Sequence, residues 1–149
     1  MFSGSGPAVK ELADVANKLY AKNTVFTGRY QKADEMNIVK DCSMINACTD
    51  RDVNSESLMS NRFYLSVTQR KPLMANTGTY QSEVSGKYGL GLSLSLNDIV
   101  HSKIKQYWES LDWKQYNHSC NVFLKAVKDD LEEFEKRITQ LYRDLNETN

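Results

Sequence analysis

Apolar residues recur most regularly in the C-terminal part of the chain. They occupy positions 120, 124, 127, 131, 134, 138, 141 and 145, in alternating steps of four and three. This spacing places them along one face of an α-helix and predicts a helix over residues 120–146. Because a continuous apolar face is unfavourable in water, it must be covered by another part of the molecule or by a partner.

The charges beside this face restrict what can cover it. With the apolar residues at positions a and d of a heptad, a parallel homodimer would bring Asp130 next to Glu135 of the second helix, and these charges repel. Arg137 would meet Tyr142, which supplies no opposite charge. The expected cover is therefore a neighbouring helix over residues 98–116, in a C-terminal helical hairpin. Antiparallel or heteromeric pairing is the alternative.

The rest of the pattern predicts two further helices and then strands. Val9, Leu12 and Leu19 share one helical face, and a more irregular stripe follows them. From residue 62 the period changes to two, as a half-buried strand requires. Residues 85–87 resemble a hairpin turn, and poor helix formers near 113–119 indicate a bend. The predicted elements are helices over about 7–22 and 29–48, strands over about 62–69, 79–85 and 88–96, and helices over about 98–116 and 120–146.

These elements predict an α+β fold in a single domain over residues 1–149. A small antiparallel sheet of two or three strands is expected to be covered by about four helices, and the chain is expected to end in the helical hairpin. A chain of 149 residues can bury a core of this kind without disulfides or metal.

Composition narrows the class of protein. The chain is 40% hydrophobic and 26% charged, as globular proteins are. Its 19 basic and 19 acidic residues cancel, so no global field attracts nucleic acid or an anionic membrane. No apolar segment approaches membrane-spanning length, and three cysteines form an odd set that is typical of reduced thiols. The expected location is cytoplasmic.

One segment combines basic and aromatic residues. The predicted strand over 62–69 and the residues after it contain Arg62, Tyr64, Arg70 and Lys71. Basic side chains beside an aromatic ring can hold single-stranded nucleic acid by ion pairing and base stacking. Nucleic-acid binding is therefore the alternative function.

The alternation over residues 88–96 also resembles a membrane barrel strand, with one face toward lipid. A hairpin of this strand with residues 79–85 gives a second alternative, a membrane-active hairpin that forms an oligomeric pore. Residues 79–85 carry few apolar side chains and include Glu83. Because a sheet covered on one face by helices explains the same alternation, the pore is the weaker interpretation.

Candidate metal ligands and nucleophiles form no recognisable pattern. The spacing of Cys42, Cys48, His118 and Cys120 matches none of the recurrent zinc motifs. His118 and Cys120 are two residues apart, so they would point away from each other on a helix. The sequence therefore predicts no catalytic site, metal, cofactor or small-molecule ligand.

The sequence contains more regularly spaced apolar and aromatic residues than packing of the predicted core accounts for. Large aromatic side chains contribute much of the binding energy at protein interfaces. The predicted function is a non-enzymatic protein–protein interaction module, such as an inhibitor, an adaptor or an assembly subunit, that self-associates into a homo-oligomer. The predicted interaction residues are Tyr107, Trp108, Trp113, Tyr116, Leu131, Phe134, Ile138 and Leu141.

Overall fold

A computed structural model describes residues 1–49, 53–95, 98 and 100–147 of the chain. The chain divides into two compact units, Met1–Asp41 and Cys42–Asn149, and each is described by itself. The single-domain organisation expected from the sequence stays a prediction.

The first unit contains short helices and one strand-like bridge. Helix α1 spans Val9–Lys18, a 3-10 turn spans Lys32–Asp34, and α2 spans Glu35–Lys40. Phe2 and Phe26 form a parallel bridge and stack their rings at 5.2 Å between centroids. The helix predicted over 7–22 is thus shorter, and the one predicted over 29–48 is reduced to α2 and its preceding turn.

The second unit is built on a three-stranded parallel sheet. Its strands are β1 (Ile45–Asn46), β2 (Leu73–Asn76) and β3 (Gly91–Leu94), in the order β1-β2-β3. In this sheet Ile45 is aligned with Leu73, and Leu73 with Gly91. The prediction of an antiparallel sheet is therefore wrong. Parallel neighbours need crossover connections, and the segments predicted as strands over 62–69 and 79–85 form helices in these connections.

The connection from β1 to β2 contains α3 (Val53–Ser57) and α4 (Asn61–Thr68). Ser60 caps α4 by accepting a hydrogen bond from the Phe63 amide. The buried residues of α4 are Phe63, Ser66 and Val67, which are spaced as one helical face. The strand prediction failed here because residues 63 and 67 share a face in either structure.

The connection from β2 to β3 is α5 (Tyr80–Tyr88), which begins at the Thr79 cap and ends at Gly89. Gly89 has a φ of +69°, the left-handed conformation that glycine adopts most easily at a helix end. The predicted hairpin turn at 85–87 therefore lies inside a helix, and so does the start of the predicted strand over 88–96. Without that hairpin, the pore hypothesis loses its structural basis.

The two crossover helices and the sheet form successive layers. Crossovers between parallel strands are right-handed as a rule, and two of them made in the same direction across the order β1-β2-β3 place α4 and α5 on the same face of the sheet. Both helices contact the sheet and the last helix of the chain. Leu73, Ala75 and Leu90 are fully or almost fully buried beneath them.

Two helices complete the second unit, α6 (Val100–Ser110) and α7 (Trp113–Glu147). The Oδ1 atom of Asp112 accepts hydrogen bonds from the amides of Lys114 and Gln115 at 2.9 and 3.1 Å, so it caps α7. Helix α7 has 35 residues and continues through 113–119, where a bend was predicted. At 1.5 Å per residue it is about 52 Å long. Residue 96, the end of the predicted strand over 88–96, and residue 99 of the helix predicted over 98–116 lie outside the described residues.

Strands β2 and β3 approach closely at Gly91, so we expect Gly91→Ala to destabilise the fold by about 3 kcal/mol or to prevent folding. A Cβ atom at Gly91 would overlap the Leu73 carbonyl oxygen and lie 2.7 Å from the Leu73 amide nitrogen. The measurement is urea unfolding followed by circular dichroism.

The matched control is Gly86→Ala. Gly86 is exposed in α5 and has no atom within 4 Å of an added Cβ, so alanine should stabilise the fold by about 0.5–1 kcal/mol. Equal stability of Gly91→Ala and the unsubstituted protein would contradict the close parallel pairing.

Candidate interaction surface on the C-terminal helix

The first half of α7 is anchored in the second unit. Tyr116, Cys120 and Phe123 are almost completely buried. The Phe123 ring packs edge-on against Phe63 of α4 and Tyr88 of α5, with centroids 5.4 and 5.2 Å away. This part of the helix therefore belongs to the core.

The second half of α7 carries an exposed apolar seam. Leu124 and Val127 are half-buried and mark the transition. The seam continues through Leu131 (54% exposed), Phe134 (60%), Ile138 (49%), Leu141 (55%) and Leu145 (58%). The expected cover of this seam by the 98–116 helix is therefore wrong. That segment is largely α6, which packs near β3.

Charged residues line the other faces of α7. Lys125 pairs with Asp129 at 3.4 Å, Lys128 with Glu132 at 3.6 Å, and Arg137 with Glu133 at 2.8 Å. All are solvent-exposed i,i+4 pairs, each worth a few tenths of a kcal/mol. They favour the helical state of the distal half without covering its apolar seam.

The predicted aromatic cluster lies at the turn between α6 and α7. The rings of Trp108 and Trp113 meet edge-on at 5.3 Å between centroids, and Trp113 meets Tyr116 at 5.8 Å. Tyr116 is buried and Tyr107 is half-buried, whereas both tryptophans are partly exposed. The cluster therefore extends from the core to the surface, and its two tryptophans are the side chains that a partner could contact.

Two tyrosine hydroxyls in this cluster are buried without a hydrogen-bond partner among the described residues, those of Tyr107 and Tyr116. Burial, with a smaller effect of Cys120, raises the pKa of Tyr107 to about 12. Burial also raises the pKa of Tyr116, and Cys120 adds to the effect. Both phenols resist ionisation because the phenolate would lose its hydration.

We expect Tyr107→Phe to maintain or raise the free energy of unfolding at neutral pH by up to about 1 kcal/mol, because it removes an unpartnered buried hydroxyl. In the unfolded chain a tyrosine ionises near pH 10. Since the folded-state pKa is higher, the stability linked to Tyr107 is present below pH 10 and lost as the pH rises toward about 12.

Tyr107→Phe should therefore lose less stability between pH 9 and pH 11 than the unsubstituted protein, as measured by urea unfolding at each pH. The control is Tyr20→Phe, at a side chain that is 84% exposed, which should change neither the stability at neutral pH nor its loss between pH 9 and pH 11. The same pH dependence in all three proteins would contradict the assignment.

The residues of the nucleic-acid alternative are spread over a helix and a loop. Arg62 of α4 donates to the Asn46 carbonyl oxygen at 3.1 Å, and the Tyr64 ring packs 6.3 Å from Phe123. Arg70, in the loop, donates to the Asn121 side-chain oxygen at 2.5 Å. Lys71 follows it and is half-buried. The flat strand on which this hypothesis relied is absent from residues 61–68, which form α4.

A cavity that the sequence did not indicate lies at the carboxyl ends of the strands. It has a volume of about 300 Å³ and is lined by Asn46, Met74, Asn76, Leu94 and Ile104, among others. Ligands often bind at this edge of parallel sheets. Here the side-chain oxygens of Asn46 and Asn76 accept hydrogen bonds from the amides of residues 48 and 49, so they stabilise the loop after β1.

Potential metal ligands do not gather in the part of the chain that the structure describes. No group of three or more His, Cys, Asp or Glu side chains there could hold a metal ion. His118 is exposed and Cys120 is buried on α7. Burial raises the pKa of the Cys48 thiol, which disfavours the reactive thiolate.

Comparison with known proteins finds no matching protein-family model, no similar curated protein and no similar solved structure. Within the described part of the chain, none of the helices combines the length and apolar character that crossing a membrane requires.

Proposed function

We propose that this protein is a non-enzymatic protein–protein interaction module that self-associates through the distal seam of α7, defined as Leu131, Phe134, Ile138, Leu141 and Leu145. The observation that supports the proposal is that these five apolar side chains are about half exposed or more and follow one heptad stripe. Large apolar residues scattered singly need no explanation, whereas a contiguous stripe of them is typical of an interface.

The length of the projecting helix supports the same function. Between Val127 and Glu147 the helix extends for about 30 Å. Most of the stability of helices in proteins comes from packing of an amphipathic face. Burial of the seam against a second helix would stabilise both the helix and the assembly.

The aromatic cluster adds a second, smaller contact surface. Trp108 and Trp113 expose apolar area at the α6–α7 turn, and tryptophan is enriched among residues that dominate binding energy. A cytoplasmic location is part of the proposal, since the three cysteines, all of them in the described residues, form no disulfide.

We expect Ile138→Asp to abolish self-association, because it places a charge in the middle of the seam. Sedimentation equilibrium from about 10 µM to about 1 mM covers the range in which small interfaces associate. Helix content measured by circular dichroism should rise with concentration in the unsubstituted protein and not in the variant.

The matched control is Thr139→Asp, which introduces the same residue one position away, outside the seam. It should associate like the unsubstituted protein. A monomeric unsubstituted protein over the whole range, or equal association of the two variants, would overturn the proposed function.

A further inference from the structure

We infer that the partner of the distal seam is the same seam of a second copy, paired antiparallel so that Arg137 of each helix faces Asp144 of the other. This inference rests on the proposed function and adds the orientation and alignment of the two helices. Three observations carry it: the heptad spacing, the point at which α7 leaves the core, and the charges beside the seam.

The parallel arrangement is disfavoured by charge. In a parallel pair, residues at heptad position g approach position e of the next heptad in the other helix. Asp130 would then lie beside the partner's Glu135 on both sides of the dimer, and Arg137 would lie beside the partner's Tyr142. This arrangement contains two like-charge contacts and no ion pair between these positions.

In an antiparallel pair, each residue at position a of one helix must face a residue at position d of the other. The possible alignments therefore differ by sliding one helix along the other in steps of seven residues. Each alignment is defined by the partner residue that faces Ile138. The candidates are Val127, Phe134 and Leu141. A further shift would leave two layers within the described residues, in each of which Leu141 of one helix faces Leu145 of the other.

The first alignment, with Ile138 opposite the partner's Val127, is blocked by the core. It would place the end of one helix, Glu147, beside residue 118 of the other. There the seam side of α7 is already occupied, since Cys120 and Phe123 are buried against the rest of the second unit. The partner helix would have to displace α4 and α5.

The second alignment, with Ile138 opposite the partner's Phe134, brings like charges together at every flanking position except the one where Lys128 would face the partner's Tyr142. Arg137 would face the partner's Arg137, and Glu135 would face the partner's Glu135. Asp130 would face the partner's Asp144. Each of these contacts destabilises the pair.

The third alignment, with Ile138 opposite the partner's Leu141, satisfies both constraints. Phe134 then faces the partner's Leu145, and Arg137 faces the partner's Asp144, so two ion pairs flank four apolar layers. One helix ends beside residue 132 of the other, five residues beyond the half-buried Val127. The partner helix therefore stops short of Leu124 and Val127, the half-buried part of α7.

Tyr142 and Glu135 complete this arrangement at the other flank. They face each other across the helix pair, where the phenol can donate a hydrogen bond to the carboxylate. Arg137 and Asp144 already contact Glu133 and Gln140 of their own helix, so the contacts between helices compete with these. The overlap of about 24 Å is short, which makes the dimer a weak and concentration-dependent one.

The test uses charge reversal at the positions that distinguish the alignments. Asp144→Arg sets two arginines against each other in the inferred dimer, so Kd should rise roughly tenfold in sedimentation equilibrium. Arg137→Asp should weaken association similarly. An equimolar mixture of the two variants restores both ion pairs, because one chain is then acidic at both positions and the other basic, and its Kd should return to the unsubstituted value.

The control is Asp130→Arg. Residue 130 faces none of the described residues of the partner helix in the inferred alignment, so this substitution should leave Kd unchanged. A stronger dimer with Asp130→Arg would show either parallel pairing with Glu135 or the second alignment, in which residue 130 faces the partner's Asp144. These two are distinguished by Asp144→Arg, and a weaker dimer with Asp130→Arg would show the alignment with Val127 opposite Ile138. A stronger dimer with Asp144→Arg would show the second alignment. Each of these results overturns the inference.

Failure of the inference and failure of the proposed function give different results. If the unsubstituted protein associates and Ile138→Asp abolishes the association, while Asp144→Arg has no effect, the seam is an interface with a different geometry. If Ile138→Asp has no effect, the seam is not the interface at all.

Discussion

The docking of Phe123 against α4 and α5 determines how the C-terminal helix is used. Its ring contacts Phe63 and Tyr88, one from each crossover helix, so a single side chain joins α7 to both helices that cover the sheet. Burial of one such ring contributes about 1.5–3 kcal/mol. Because α7 is continuous, fixing its first turns also fixes the direction in which its remaining residues leave the core.

The layer beneath this contact is compact because small side chains lie between its elements. Ser82 and Ser85 are buried in α5, and Gly91 allows β3 to approach β2 closely. The sheet is small, with strands of two to four residues, so its stability depends on the helices packed against it. Those helices in turn pack against the first half of α7. The distal seam takes no part in this core.

The heptad stripe predicted the last helix because its spacing over seven intervals fits one helical face. The stretches around Phe63 and Tyr80 were ambiguous, since residues four apart share a face in both helix and strand. Reading them as strands also made the sheet antiparallel, because no crossover helices remained. The exposure of the seam could not be read from periodicity, which shows that a face is apolar but not whether the core is large enough to cover it.

A heptad seam by itself permits many pairings, since every shift of seven residues preserves the apolar contacts. In α7 two separate features limit this freedom. The core occupies the seam near Phe123 and so excludes long overlaps on steric grounds, while Asp130, Glu135 and Arg137 oppose the intermediate overlap by electrostatic repulsion. Neither feature alone selects one alignment. Their combination does, because the core excludes the longest overlap, repulsion opposes the intermediate one, and the remaining overlap places Arg137 opposite the partner's Asp144.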